Sequence, residues 1–204
     1  MKLEDQKITK LPKIIAVSKT FELAKILPLV EYGHIDFGEN KVQEALDKWS
    51  ETKLNRPEIK LHLIGRLQTN KVKFALKIFD YIHSVDSEKL AKKIADEQKK
   101  QNKSIKIFIQ VNIGNEDQKS GIDKDKTINL YEYCKKLNLD IMGLMCIPPA
   151  NKDPDRYFKE MNILKQKFNL SELSMGMSSD YLKAVENFST YLRIGSSIFG
   201  KRDQ

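Results

Sequence analysis

Eight times along the 204-residue chain, a short apolar run gives way to a stretch whose apolar residues recur at helical spacing. The first run, residues 13–18 (KIIAVS), is apolar between its ends, as expected of a strand covered on both faces. Beyond Lys19 and Thr20, residues 21–32 place Leu23, Ile26, Leu27 and Val30 on one helical face and stop at Gly33, the expected C-cap. Pro28 lies inside that stretch and predicts a kink or a second helix start. Further strands are expected at residues 34–37, 60–64, 81–85, 105–111, 140–147, 173–175 and 191–194. The helices between them are expected near 40–50, 70–78, 87–101, 125–137, 153–168 and 179–188, with a last turn reaching Phe199. A helical crossover is how parallel strands are joined, and eight such units close a (β/α)8 TIM barrel. The expected architecture is therefore α/β, one barrel domain over residues 1–204, ahead of an open doubly wound sheet. The open sheet is disfavoured because no GxGxxG follows the first strand and no GxxxxGK[ST] occurs.

Composition removes several classes of function. The longest apolar runs, residues 14–17 and 141–147, fall far short of the ~20 residues that span a bilayer, so no membrane partner is expected. The first residues are charged where a secretory segment would be apolar, which points to the cytoplasm. Cys134 and Cys146 form no CxxC, and His34, His62 and His83 are scattered, so no metal site is expected. The net charge of +8 invites a nucleic-acid reading. Basic residues alternate with acidic ones along helical faces, however, and 8% aromatic content offers no repeated stacking platform. Nucleic acid is not expected, whereas a small anion would profit from the same field.

In a barrel, chemistry gathers just beyond the C-terminal ends of the strands. Lys19 follows the first strand, where a partly desolvated amine suits Schiff-base chemistry, although a lysine reaching to the barrel rim reads the same way. The stretch 176–180 (GMSSD) follows the seventh strand and 195–197 (GSS) the eighth, and both open helices. Small residues, hydroxyls and fresh N–H groups there make an anion site of the kind barrels use for phosphate, or ordinary helix caps. Arg193, inside the eighth strand, needs a ligand or a buried acid as partner. A Schiff-base lysine, a phosphate cradle and an inward arginine on neighbouring strands together suggest pyridoxal 5′-phosphate.

Seven motifs then carry a resemblance: 16–20 (AVSKT), 37–40 (FGEN) with Gln43 and Glu44, 62–71 (HLIGRLQTNK), 119–121 (KSG), 143–145 (GLM), 176–178 (GMS) and 193–200 (RIGSSIFG). In this order and over residues 14–200, the chain resembles the pyridoxal phosphate homeostasis protein family, whose fold is similar to the barrel domain of alanine racemase. The resemblance implies that Lys19 forms the Schiff base. It implies that Ser178, Gly195 and Ser196 hold the phosphate, with Met177 and Ser179 adjoining. Arg193 would face the pyridine nitrogen and Asn40 the ring. Many members carry threonine at the position of Ser196, which keeps the hydroxyl and the N–H. His62 is expected in the barrel interior, where a core residue reads the same way; Asn70 and Lys71 either line the mouth or serve capping and solvation, and Lys119 either attracts phosphate at the entrance or is an ordinary surface lysine. Two departures stand out: a short lead before the first strand, and Phe21 where members often carry a basic residue.

A guanidinium only donates, so Arg193 would leave the ring nitrogen unprotonated and weaken the ring as an electron sink. The expected function is reversible binding, buffering and delivery of pyridoxal phosphate to apoenzymes by a monomer with no catalytic residues. The alternative is a pyridoxal-phosphate-dependent amino-acid racemase, which would need an acid or base on each face of the cofactor; 204 residues are filled by the barrel, leaving no second domain to supply the other.

Overall fold

The computed structural model describes residues 11–116 and 120–200. Strands and helices alternate as β1 (Lys13–Val17), α1 (Leu23–Glu31), β2 (Asp36–Glu39), α2 (Val42–Asn55), β3 (Lys60–Leu63), α3 (Val72–Ile78), β4 (Tyr81–Val85), α4 (Glu88–Gln101) and β5 (Lys106–Asn112). The second half continues with β6 (Ile122–Asp123), α5 (Thr127–Lys136), β7 (Asp140–Cys146), α6 (Asp155–Lys167), β8 (Glu172–Met177), α7 (Tyr181–Glu186), β9 (Tyr191–Ile194) and α8 (Ser196–Phe199). Hydrogen bonding runs β4-β3-β2-β1-β9-β8-β7-β5, and β4 pairs with β5 to close the ring. Every pairing is parallel, so the expected eight-stranded barrel is present. The two-residue β6 is an addition that extends the sheet beside Val111 and Asn112.

The strands divide the core in two. Residues facing outward, among them Phe37, Leu61, Ile82, Ile107, Leu144 and Leu192, pack with Trp49, Ile94, Leu130 and Phe158 of the helices in one large apolar layer. Inward-facing Ile15, Tyr81, Phe108, Met145 and Tyr191 form a smaller cluster, and buried His62, His83, Ser174 and Arg193 share the interior with them. Cys134 and Cys146 are both buried, and burial pushes each thiol up to about 12. Neither thiol should therefore react with iodoacetamide at pH 8 until the protein is unfolded. Rapid modification of either in the native protein would contradict this packing.

Several boundaries differ from expectation for local reasons. The second strand lies at Asp36–Glu39, later than residues 34–37, because His34 is used in ending α1. There Gly33 takes φ +96, its N–H donates to the Val30 carbonyl, and the His34 N–H reaches the Leu29 carbonyl. That is the left-handed glycine cap expected at this position. α1 runs through Pro28 as one helix, without a second start. The stretch at Asn70 begins as a 3-10 turn over Thr69–Lys71 before α3.

Asparagine does the same capping work elsewhere, at Asn102, Asn138 and Asn169 after α4, α5 and α6, all with positive φ. After α7 the left-handed position falls to Phe188, with φ 65 and the residue 66% exposed. A bulky side chain is strained there, and little packing offsets the strain. Phe188→Gly should raise stability by about 1 kcal/mol, read as a higher Tm. A lower Tm would show that the ring contributes more than its backbone costs.

Candidate functional site

At the C-terminal mouth of the barrel a cavity of about 980 Å³ opens, within the range of small-molecule sites. Lys19, Asn40, Met177, Ser178, Ser179, Arg193, Gly195 and Ser196, drawn from four different strand ends, all line it. Asn40 is placed there by Gly65: a Cβ on Gly65 would lie 2.8 Å from the Asn40 Cα, so only glycine lets the loops after β2 and β3 approach this closely.

Lys19 sits in a turn that is fastened on both sides. Thr20 takes φ 69, a conformation a β-branched residue holds only under constraint. Its N–H donates to Glu44 Oε1 at 2.6 Å. On the other side, the Ser18 carbonyl accepts from Lys48 Nζ at 2.9 Å, and the Ser18 hydroxyl donates to Glu39 Oε1 at 2.7 Å. Lys48 Nζ lies 3.0 Å from both Glu39 Oε1 and Glu44 Oε1, and Trp49 Nε1 donates to Glu39 Oε1 at 2.9 Å. One polar nest on β2 and α2 thus grips the residues before and after Lys19. Burial acts to raise the Glu44 carboxyl, but the Thr20 N–H and the Lys48 ammonium outweigh it and hold it below its usual range.

The opposite wall is built by two turns. The Met177 N–H donates to Asp180 Oδ1 at 2.6 Å, and the Asp180 N–H returns to the Met177 carbonyl at 3.0 Å, closing the turn that presents Ser178 and Ser179. The N–H groups of Gly195 and Ser197 converge on Ser178 Oγ, each at 3.4 Å. Bonds of that length are weak, so these donors and the hydroxyl are ready to turn to a bound anion.

Arg193 forms the floor and is 4% exposed. Its Nη1 donates to the Ser174 carbonyl at 2.6 Å and to Ser174 Oγ at 2.8 Å, and Nη2 donates to the Cys146 carbonyl at 2.8 Å. No carboxylate touches it among the described residues; three neutral oxygens hold the guanidinium at the cavity wall.

The structure also settles the places of the remaining expected residues. His62 is fully buried inside the barrel. Lys71 lines a neighbouring cavity of about 730 Å³ that shares Asn40 and Arg66 with the first, while Asn70 faces elsewhere. Lys119 lies outside the described residues. Phe21 is 8% exposed and packs on Phe199 with ring centroids 5.3 Å apart, so it serves the core. Gln110 and Arg66 line the cavity although the sequence had not singled them out. Gln110 had a signal: in β5 it shares the inward parity of Phe108 and Asn112.

The alanine racemase N-terminal domain family matches residues 2–203. The pyridoxal phosphate homeostasis protein of Vibrio cholerae is 38% identical over 202 residues, covering 94% of this chain and 86% of that one. The protein of the same name from Homo sapiens is 38% identical over 213 residues, covering 94% and 77%. Among solved structures, PipY of Synechococcus elongatus with PLP bound aligns with a TM-score of 0.84 at 36% identity, over 93% of this chain and 92% of that one. An alanine racemase of Clostridium difficile aligns at 14% identity with a TM-score of 0.70, covering 95% of this chain and 53% of that one, which shows the shared barrel fold alone. The chain belongs to the alanine racemase N-terminal domain family and, within it, to the pyridoxal phosphate homeostasis proteins.

Proposed function

We propose that this protein binds pyridoxal 5′-phosphate reversibly through Lys19 and holds it for delivery to apoenzymes that require it, as a carrier in the cytoplasm. The observation that carries this reading is the meeting of three unlike groups in one cavity: the Lys19 amine, the Ser178, Gly195 and Ser196 turns, and the Arg193 guanidinium. When bound, the cofactor supplies an aldehyde able to condense with a lysine amine and a phosphate that needs converging donors. The residues fit both demands. The Gly195 N–H and Ser178 hydroxyl take the phosphate with Ser196 beside them, Met177 and Ser179 wall it, and Asn40 and Arg193 border the ring.

A carrier rather than a catalyst is supported by the cavity's proton chemistry. Its titratable side chains among the described residues are Lys19, Arg66 and Arg193, and an arginine does not exchange its proton near neutrality. Racemisation needs a second group that does. No helix among the described residues is long and apolar enough to cross a membrane, in keeping with a freely diffusing donor.

Delivery is tested by mixing the loaded protein with an apoenzyme that requires pyridoxal phosphate. The visible absorbance of this protein should fall while the acceptor's activity rises by a matching amount. Retention of the cofactor under those conditions would contradict delivery. Lys19-dependent deuterium exchange at the α-carbon of amino acids, above that of free cofactor, would instead support the racemase reading.

A further inference from the structure

A line of side chains crosses the barrel interior beneath the cavity. Arg193 Nη1 lies 2.8 Å from Ser174 Oγ, Ser174 Oγ 2.9 Å from His83 Nδ1, His83 Nε2 3.0 Å from His62 Nδ1, and His62 Nε2 2.9 Å from Asp36 Oδ1. Ser174, His83 and His62 are 0% exposed, whereas Asp36, at the start of β2, reaches the opposite mouth. Both ends of this line have only one possible role. A guanidinium can only donate, and an ionised carboxylate can only accept.

Those two ends determine every link between them. Because Arg193 donates to Ser174 Oγ, the Ser174 hydroxyl hydrogen is available to His83 Nδ1, which lies 2.9 Å away. His83 Nδ1 then accepts, so its hydrogen is on Nε2 and points to His62 Nδ1. His62 Nδ1 accepts in turn, and its own Nε2–H donates to Asp36. Starting from Asp36 gives the same result when both rings are neutral. With an Nδ1–H tautomer at His83, the Ser174 hydrogen would be buried without an acceptor, the costly case for a polar group.

We propose that Asp36, His62, His83 and Ser174 form a one-way hydrogen-bond chain, with both imidazoles neutral and in the Nε2–H form, that positions the Arg193 guanidinium and balances its buried charge. His62 and His83 are positioning residues, acting on the cavity through Arg193. The aligned dipoles present their negative ends to Arg193 and run to a carboxylate, which compensates a cation that has no acid in contact among the described residues. Stacking fixes the planes of both rings: His62 lies on Tyr81 at 4.3 Å and His83 on Phe108 at 4.2 Å between centroids. Burial lowers the pKa of both rings; at His62 it outweighs the opposing hydrogen bond and charge of Asp36, and at His83, where the shift is larger, the charge of Arg193 adds to it. At Asp36, burial pulls upward, but the hydrogen bond from His62 and the charge of Lys13 oppose it and the carboxyl stays below its usual range. Among the described residues, the other titratable groups close by, Asp80, Tyr81 and Tyr191, make no hydrogen bond to either imidazole.

The proposal rests on the reading of Arg193 as the floor of the cofactor site, but its first test does not. Long-range ¹H–¹⁵N spectra of the cofactor-free protein should show His62 and His83 both protonated at Nε2 only, unchanged from about pH 6 to 8. An Nδ1–H form at either ring, or a titration midpoint inside that window, would overturn the chain whether or not the protein binds pyridoxal phosphate.

The second test separates positioning from packing. His83→Phe keeps the stack on Phe108 but strips Ser174 of its acceptor, and should weaken pyridoxal phosphate binding about tenfold, the loss expected for a disturbed hydrogen bond to a charged group. His83→Gln offers an amide oxygen to Ser174 and an N–H to His62, and should restore most of that affinity. Equal affinities for the two variants, with unchanged Tm, would assign His83 to packing alone and overturn its positioning role.

Discussion

Lys19→Ala should abolish the visible absorbance and the borohydride-reducible adduct that the protein acquires with pyridoxal phosphate, while leaving the fold intact. The side chain is half-buried at the cavity wall, and the turn that carries it is held through Ser18 and Thr20. Stability should therefore change by less than about 0.5 kcal/mol, as for most substitutions outside the core. The turns at Ser178 and Gly195 survive the change, so inorganic phosphate should still compete with residual, non-covalent binding. Lys19→Arg keeps the positive charge but presents no amine able to condense, and should behave like the alanine variant. An arginine variant that retained the reducible adduct would place the covalent bond on another lysine.

The second large effect is expected at Lys48, which touches no part of the cavity. Its side chain is 9% exposed, and its partner Glu39 is 0% exposed. Lys48→Met preserves the stem but leaves a buried carboxylate without its cation and frees the Ser18 carbonyl. Removing one partner of such a buried pair costs about 3–5 kcal/mol. In a chain of this size that corresponds to a fall in Tm of roughly 10 °C. Loosening of Ser18 should also weaken cofactor binding, because Lys19 loses half of its anchorage. Unchanged Tm would show that Glu39 finds compensation elsewhere.

The pH dependence of that loss follows from Glu39. Burial raises its carboxyl above the usual range despite hydrogen bonds from Trp49, Ser18 and Lys48. Without Lys48 the carboxyl rises further, so the native state holds a proton that the unfolded chain has released. More protons bound natively means stability that falls as pH rises through the window above 4.5, the group's ordinary value. The deficit of Lys48→Met relative to the parent protein should therefore be smaller at pH 5 than at pH 8, as measured by urea unfolding at both. A deficit that grows on acidification would reverse the assignment of charge at Glu39.

What was legible in the sequence follows a physical division. Strands buried on both faces announce themselves, and Tyr81–Val85 and Tyr191–Ile194 lie where the apolar runs place them. Asp36–Glu39 was harder to read, since Gly38 is shaped by close approach of Ile15 and Glu39 points into the Ser18, Lys48 and Trp49 nest. Neither residue looks like a strand former on its own. The cavity residues were readable because a barrel gathers the ends of its strands, so position after a strand is itself spatial information. The chain from Asp36 to Arg193 was not readable in this way. Its links join residues 21 and 91 positions apart across the barrel, and no local pattern marks such a pairing. The anchorage of Lys19 by Glu44 and Lys48 was hidden for the same reason, since it depends on how α2 packs over β1 and β2.

Borohydride reduction of the protein loaded with pyridoxal phosphate, followed by peptide mass mapping, addresses the central claim most directly. The adduct is expected on the peptide carrying Lys19, on that residue, in one equivalent per chain. An adduct on a different lysine with Lys19 unmodified, or no adduct at saturating cofactor, would contradict it.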